Sequence, residues 1–177
     1  MRIISGTHKG KRLIAPKNLP VRPTTDFAKE ALFNILNNRL YFQEVRLLDL
    51  FAGTGNISFE FASRGCEDIT SVDAHFGCVR YIQKIAEELS FPITPIKSDV
   101  FKYTELSHPP FDVVFADPPY DFDLQQLITL TENIFQNNLL KPEGILIIEH
   151  SKHIDLSEVS RFQEDRKYGG SVFSFFA

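Results

Sequence analysis

The feature that most restricts the fold is one local pattern repeated along the chain: an apolar run, a carboxylate at its end, then helical periodicity. Val45 to Leu50, Asp68 to Val72, Pro92 to Ile96, Phe111 to Ala116 and Ile145 to Glu149 read as short buried strands. Residues 56–64, 76–90 and 123–137 read as amphipathic helices between them, with Ile57, Phe61 and Ala62, then Val79, Ile82, Ala86 and Leu89, facing inward. Parallel neighbours in a sheet need a crossover, and a helix is its usual form. The alternation therefore predicts an α/β domain with helices on both faces of a mostly parallel sheet. The ending differs. Glu158 to Lys167 and Ser171 to Phe176 flank Gly169-Gly170, so these two strands form an antiparallel hairpin and bring the sheet to seven. Ahead of the sheet, Thr25 or Asp26 caps a helix over 26–38 that carries Phe27, Ala31, Leu32, Ile35 and Leu36 at helical spacing.

Open parallel sheets bind ligands beyond the carboxyl ends of their strands, at the switch point. Four consecutive strands deliver Asp49, Asp73, Asp99 and Asp117 to that edge. The first turn reads Asp49-Leu50-Phe51-Ala52-Gly53-Thr54-Gly55, and its glycines let the backbone pass close to a ligand at a helix N-terminus. A dinucleotide fingerprint would place a third glycine where Ser58 stands. Asp49 ahead of the loop would also repel a pyrophosphate. It suits an amino or sulfonium cation, and S-adenosylmethionine carries both. Asp73, at the end of the second strand, is placed to accept from ribose hydroxyls. Asp99 is placed to accept from an adenine amino group, or simply to open a turn.

Asp117-Pro118-Pro119-Tyr120 is the most specific motif. Two prolines fix the backbone and remove two N–H groups, leaving carbonyls to hydrogen-bond. A carboxylate beside a fixed carbonyl matches the two donors of a nucleobase amino group, and Tyr120 offers a face for stacking, worth roughly 1–3 kcal/mol.

Composition narrows the classes. The 177 residues are 43% hydrophobic and 24% charged, an ordinary balance for one globular domain. No apolar run approaches the roughly 18–20 residues of a membrane span, and the N-terminus lacks a signal-like apolar stretch. Cys66 and Cys78 have no metal-ligand spacing and read as free thiols of a cytoplasmic protein. The five histidines are scattered and read as surface or turn residues; no metal site is expected. The formal charge of −4 hides an asymmetry: residues 1–25 carry Arg2, Lys9, Lys11, Arg12, Lys17 and Arg22 and no acid, whereas the remainder has 13 basic and 23 acidic residues. Ile3, Ile4, Leu13 and Ile14 interleave with these charges, which predicts a basic hairpin with one apolar face as an N-terminal extension (1–25) on the main domain (26–177). Such a segment suits a polyanion.

Together these residues resemble a known family. Asp-Leu-Phe-Ala-Gly-Thr-Gly is similar to the cofactor loop of class I, Rossmann-like methyltransferases, and Asp-Pro-Pro-Tyr to the motif of amino methyltransferases. Arg2-Ile3-Ile4-Ser5-Gly6, Lys9-Gly10-Lys11, Arg22-Pro23-Thr24-Thr25-Asp26 and Lys29-Glu30-Ala31-Leu32-Phe33-Asn34 resemble the RsmD family of bacterial 16S rRNA guanine-N2 methyltransferases. The resemblance implies S-adenosyl-L-methionine as methyl donor, S-adenosyl-L-homocysteine as product and no metal. It implies that Asp49, Phe51, Gly53 and Gly55 line the methionine end, that Asp73 holds the ribose and that Asp99 and Val100 border the adenine, with Ala52, Thr54 and Ala74 also against the cofactor. Asp117 to Tyr120 would hold the guanine, and Arg2, Lys9, Lys11, Arg12 and Arg22 would grip RNA, in an assembled or assembling small subunit. The sequence shows no obvious dimer helix, which points to a monomer. Two departures stand out: Asp73 where Glu is usual, and Ile85 where Asn is usual. Adenine-N6 methyl transfer is the nearest alternative; an NAD-dependent oxidoreductase and a non-catalytic RNA-binding module are further ones.

Overall fold

The structure is a computed structural model and describes residues 1–19 and 25–177. Seven strands form one sheet in the order β3-β2-β1-β4-β5-β7-β6. They are β1 (Arg46–Leu50), β2 (Asp68–Asp73), β3 (Ile93–Lys97), β4 (Phe111–Ala116), β5 (Leu140–Ser151), β6 (Phe162–Tyr168) and β7 (Ser171–Phe176). The first five pair in parallel, and β7 runs antiparallel to both β5 and β6. The chain winds outward from β1 to β3 and then returns to the other side of β1 with β4. The switch point therefore lies between β1 and β4, where the first glycine turn and the Asp-Pro-Pro-Tyr motif emerge side by side.

Helices α1 (Asp26–Leu36), α2 (Asn56–Ser63) and α3 (Phe76–Leu89) cover one face, whose core joins Leu32, Phe33, Phe61 and Ile82 to Leu47, Phe115 and Ile147. Helices α4 (Val100–Thr104) and α5 (Leu124–Gln136) cover the other, where Tyr103, Leu127, Leu130 and Ile134 meet Leu48, Val114 and Ile148. Strand residues alternate between the two cores, as the period of two requires.

Several expectations need correction. β5 begins at Leu140, because Leu140 already pairs with Phe111 across a bulge. β6 begins at Phe162, since 157–161 is turn and not strand. Phe27 is 70% exposed. α1 buries Leu32 and Leu36 together with Ala28, Lys29 and Phe33, a lysine taking an inward place because its charge is met inside. α2 is buried at every position from Ile57 to Ser63, because the N-terminal hairpin covers the side that would otherwise face water. His150 is a buried sheet residue held by Ser174 Oγ at 2.8 Å. The short helix α4 had no periodicity long enough to announce it.

Candidate active site

The turn after β1 is built under strain. Phe51 has φ 57°, rare for a side-chain-bearing residue. Gly55 has φ 77°, and a Cβ on it would lie 3.0 Å from Ile82 and 3.1 Å from Phe59, so conformation and packing both call for glycine. The turn is tied to β2 twice. Ala52 N donates to Val72 O at 3.0 Å, and Gly53 N donates to Asp73 Oδ2 at 2.8 Å. Asp73 Oδ1 accepts from His75 N at 2.8 Å. The carboxylate thus sits between two amides at the head of α3, its direction set by backbone.

Asp49 is 2% exposed. Its Oδ2 accepts from Ser58 Oγ at 2.5 Å and Ser58 N at 3.2 Å, and Ser58 Oγ also meets Ser71 Oγ at 2.6 Å. Ser58, which in the sequence only marked a missing glycine, is therefore a working part of the site. Burial pushes the Asp49 carboxyl up to about 7, with the two Ser58 hydrogen bonds pulling the other way. No cation among the described residues forms an ion pair with it.

Asp117 follows β4 directly, and its N–H donates to Leu50 O at 3.3 Å, which ties the motif to the root of the glycine turn. Pro118 is buried and Pro119 exposed. Pro119 O accepts from Phe122 N at 3.0 Å. The Tyr120 hydroxyl meets Ser171 Oγ at 2.8 Å, so the terminal hairpin orients the ring. Phe122 reaches back: it packs edge-on to Phe51 at 5.4 Å and stacks on Phe101 at 6.0 Å. Three aromatics thus join the turn after β1, the turn after β4 and α4, a wall that spacing could not reveal because its members are far apart in sequence. Asp99 caps α4 by accepting from Lys102 N at 3.0 Å, with Val100 buried behind it. Ala74 is exposed, and Thr54 is buried.

The N-terminal residues form a tight antiparallel turn. Arg2 bridges Arg12, Ile3 N donates to Lys11 O, and Leu13 N donates to Met1 O. Ile3 and Leu13 enter the core beside α1 and α2. Lys9 and Arg12 are exposed, Arg2 pairs with Asp26 at 3.4 Å, and Lys11 pairs with Glu88 at 3.3 Å. Arg22 lies outside the described residues. Cys66 and Cys78 are free and buried, and burial pushes both thiols up to about 11. The described residues hold no cluster of metal-ligating side chains and no helix long and apolar enough to cross a membrane.

This strand order, with an inserted antiparallel β7, defines a class I methyltransferase fold. The chain belongs to the family described as "Conserved hypothetical protein 95", whose profile matches residues 1–177, the RsmD family of methyltransferases. It is 34% identical over 159 residues to the ribosomal RNA small subunit methyltransferase D of Haemophilus influenzae, covering 86% of this chain and 79% of that one. A solved hypothetical protein of Thermus thermophilus superposes with a TM-score of 0.83 at 27% identity, over 99% of this chain and 98% of that one. A 16S rRNA N2 methyltransferase of the same organism, solved with AdoMet and guanosine, shares the fold at a TM-score of 0.71 and 22% identity, over 89% of this chain and 44% of that one.

Proposed function

We propose that the protein transfers a methyl group from S-adenosylmethionine to the exocyclic N2 amino group of a guanine in small-subunit ribosomal RNA, in the cytoplasm. The observation that carries the reading is the hydrogen bond from Asp117 N to Leu50 O, which sets the Asp-Pro-Pro-Tyr motif beside the glycine turn that Asp73 holds. The name of the Haemophilus influenzae relative supports ribosomal RNA as substrate, and the exposed cations of the hairpin support an RNA partner.

The residues fit the methyl donor. Asp49 is a buried carboxylate that a ligand ammonium would relieve, Gly53 to Gly55 allow close approach, and Asp73 is aimed by two amides. When bound, the donor supplies the electrophilic methyl on a sulfonium. Everything else falls to the chain. A guanine taken out of its stack lies against Tyr120, whose ring is anchored through Ser171. Asp117 and a backbone carbonyl of the Pro118-Pro119 turn accept the two N2 hydrogens. Guanine's amino lone pair is delocalised into the ring, so holding the nitrogen in attack geometry is the main contribution. The same acceptors stabilise positive charge growing on nitrogen.

The test is transfer of labelled methyl to small ribosomal subunits lacking base methylation, to their stripped RNA, and to duplex DNA, with product nucleosides identified by mass spectrometry. N2-methylguanosine from RNA is expected, lost in Asp117→Ala and partly kept in Asp117→Asn. N6-methyladenine would reject the guanine assignment. Full activity in both variants would remove Asp117 from the chemistry.

A further inference from the structure

The core of this protein holds a charge that the proposed chemistry does not use. Lys29 is 1% exposed and Glu60 is fully buried. The Lys29 ammonium has three protons and three partners: Arg2 O at 2.6 Å, Asn56 Oδ1 at 2.8 Å and Glu60 Oε2 at 3.3 Å. These partners belong to the N-terminal hairpin, the first residue of α2 and its second turn. Glu60 completes the knot. Its oxygens accept from Ile4 N at 2.8 Å and Ser5 N at 3.0 Å, and Arg64 Nε donates to Oε1 at 2.9 Å. Gly6 shows how close the hairpin lies, because a Cβ on it would fall 1.7 Å from Ser63 O.

A buried ion pair is a weak stabiliser, since apolar residues of the same shape often do as well. What this one supplies is geometry. Asn56 directly follows Gly55, so its side chain marks the exit of the glycine loop. Its Oδ1 is held by Lys29, while its Nδ2 is buried with no partner among the described residues. Leaving that donor unmet is a cost, which the ammonium enforces. One cation therefore fixes the hairpin backbone and the cofactor-loop exit against each other.

We propose that Lys29 is a positioning residue that couples nucleic-acid engagement by the hairpin to the geometry of the Gly53–Gly55 loop. The inference rests on the methyltransferase reading above and adds to it a link between the two ligands. Coupling is reciprocal, so it can be read from either side. The affinity of undermethylated small ribosomal subunits is measured with and without saturating S-adenosylhomocysteine, for wild type, Lys29→Met, Asn56→Ala and Asn56→Asp. In the wild type the cofactor product tightens subunit binding by about fivefold or more. In Lys29→Met and Asn56→Ala the ratio falls to about one. Asn56→Asp keeps an acceptor for the ammonium and keeps the ratio. A merely structural role would lower stability without moving this ratio selectively. If Lys29→Met does not fold, Asn56→Ala decides alone. A wild type that methylates subunits but shows a ratio of one overturns the coupling and leaves the proposed function standing, as does a wild-type ratio in Asn56→Ala. A wild type that binds neither subunits nor S-adenosylhomocysteine overturns both.

Discussion

Asp49 shows what a buried carboxylate costs the fold that holds it. Its carboxyl ionises near 3.8 in the unfolded chain and near 7 in the native one, because burial penalises the charged form. Between those values the native state holds a proton that the unfolded state has lost. Stability therefore falls as pH rises from about 4 to about 7, and stays lower above that. Asp49→Asn removes the penalty. The variant is expected to be more stable than wild type at pH 8, by an amount on the order of a few kcal/mol, and to match it near pH 4. Calorimetry at the two pH values checks this. Binding moves the opposite way. If the ionised carboxylate receives the cofactor's ammonium, S-adenosylhomocysteine binds roughly tenfold tighter at pH 8 than at pH 6, a dependence that Asp49→Asn abolishes in titration calorimetry.

At the scale of elements, the site is held by how its strands end. The segment Asp117 to Phe122 runs straight into α5, whose start is a capping box: Asp123 accepts from Gln126 N at 2.8 Å and Gln126 accepts from Asp123 N at 3.0 Å. The box fixes the far end of the Asp-Pro-Pro-Tyr turn, as the Asp117 N to Leu50 O bond fixes the near end. Asp123→Ala is expected to cost about 1 kcal/mol, seen as a fall of about 2–4 °C in Tm. The cost is local to the cap, so Lys152→Ala, at an exposed turn residue that caps no helix, serves as the comparison and leaves Tm within about 1 °C.

Over the whole molecule, charge is distributed so that an acidic body carries a basic hairpin on a rigid mount. Two of the hairpin cations, Arg2 and Lys11, already face carboxylates, but both pairs are exposed. Exposed pairs are worth little, so they hold these cations only weakly. Lys9 and Arg12 stand exposed on the same hairpin. Lys9→Glu with Arg12→Glu is expected to weaken subunit binding, and to lower the slope of log affinity against log salt by about one for each phosphate the hairpin no longer neutralises. S-adenosylhomocysteine binding without RNA and Tm should stay at wild-type values. An unchanged salt slope would place the RNA elsewhere.

Local chemistry wrote much of this into the chain. Strands and helices alternate because apolar period and turn residues are properties of a few neighbours, so the α/β class, the terminal hairpin and the carboxylates at strand ends could all be read directly. A cap at Thr25 or Asp26 is legible for the same reason, and of the two it is Thr25 that accepts from Ala28 N, at 3.2 Å. What depends on distant partners was not. Lys29 turns inward and Phe27 outward because Glu60, far along the chain, supplies the counter-charge. His150 is buried because β7 returns beside β5 and brings Ser174 to it. Ser58 becomes a donor to Asp49 only once α2 lies against β1. Periodicity sets which faces an element can bury; burial and pairing in three dimensions choose among them, since desolvating a charge is tolerable only where its partner already waits.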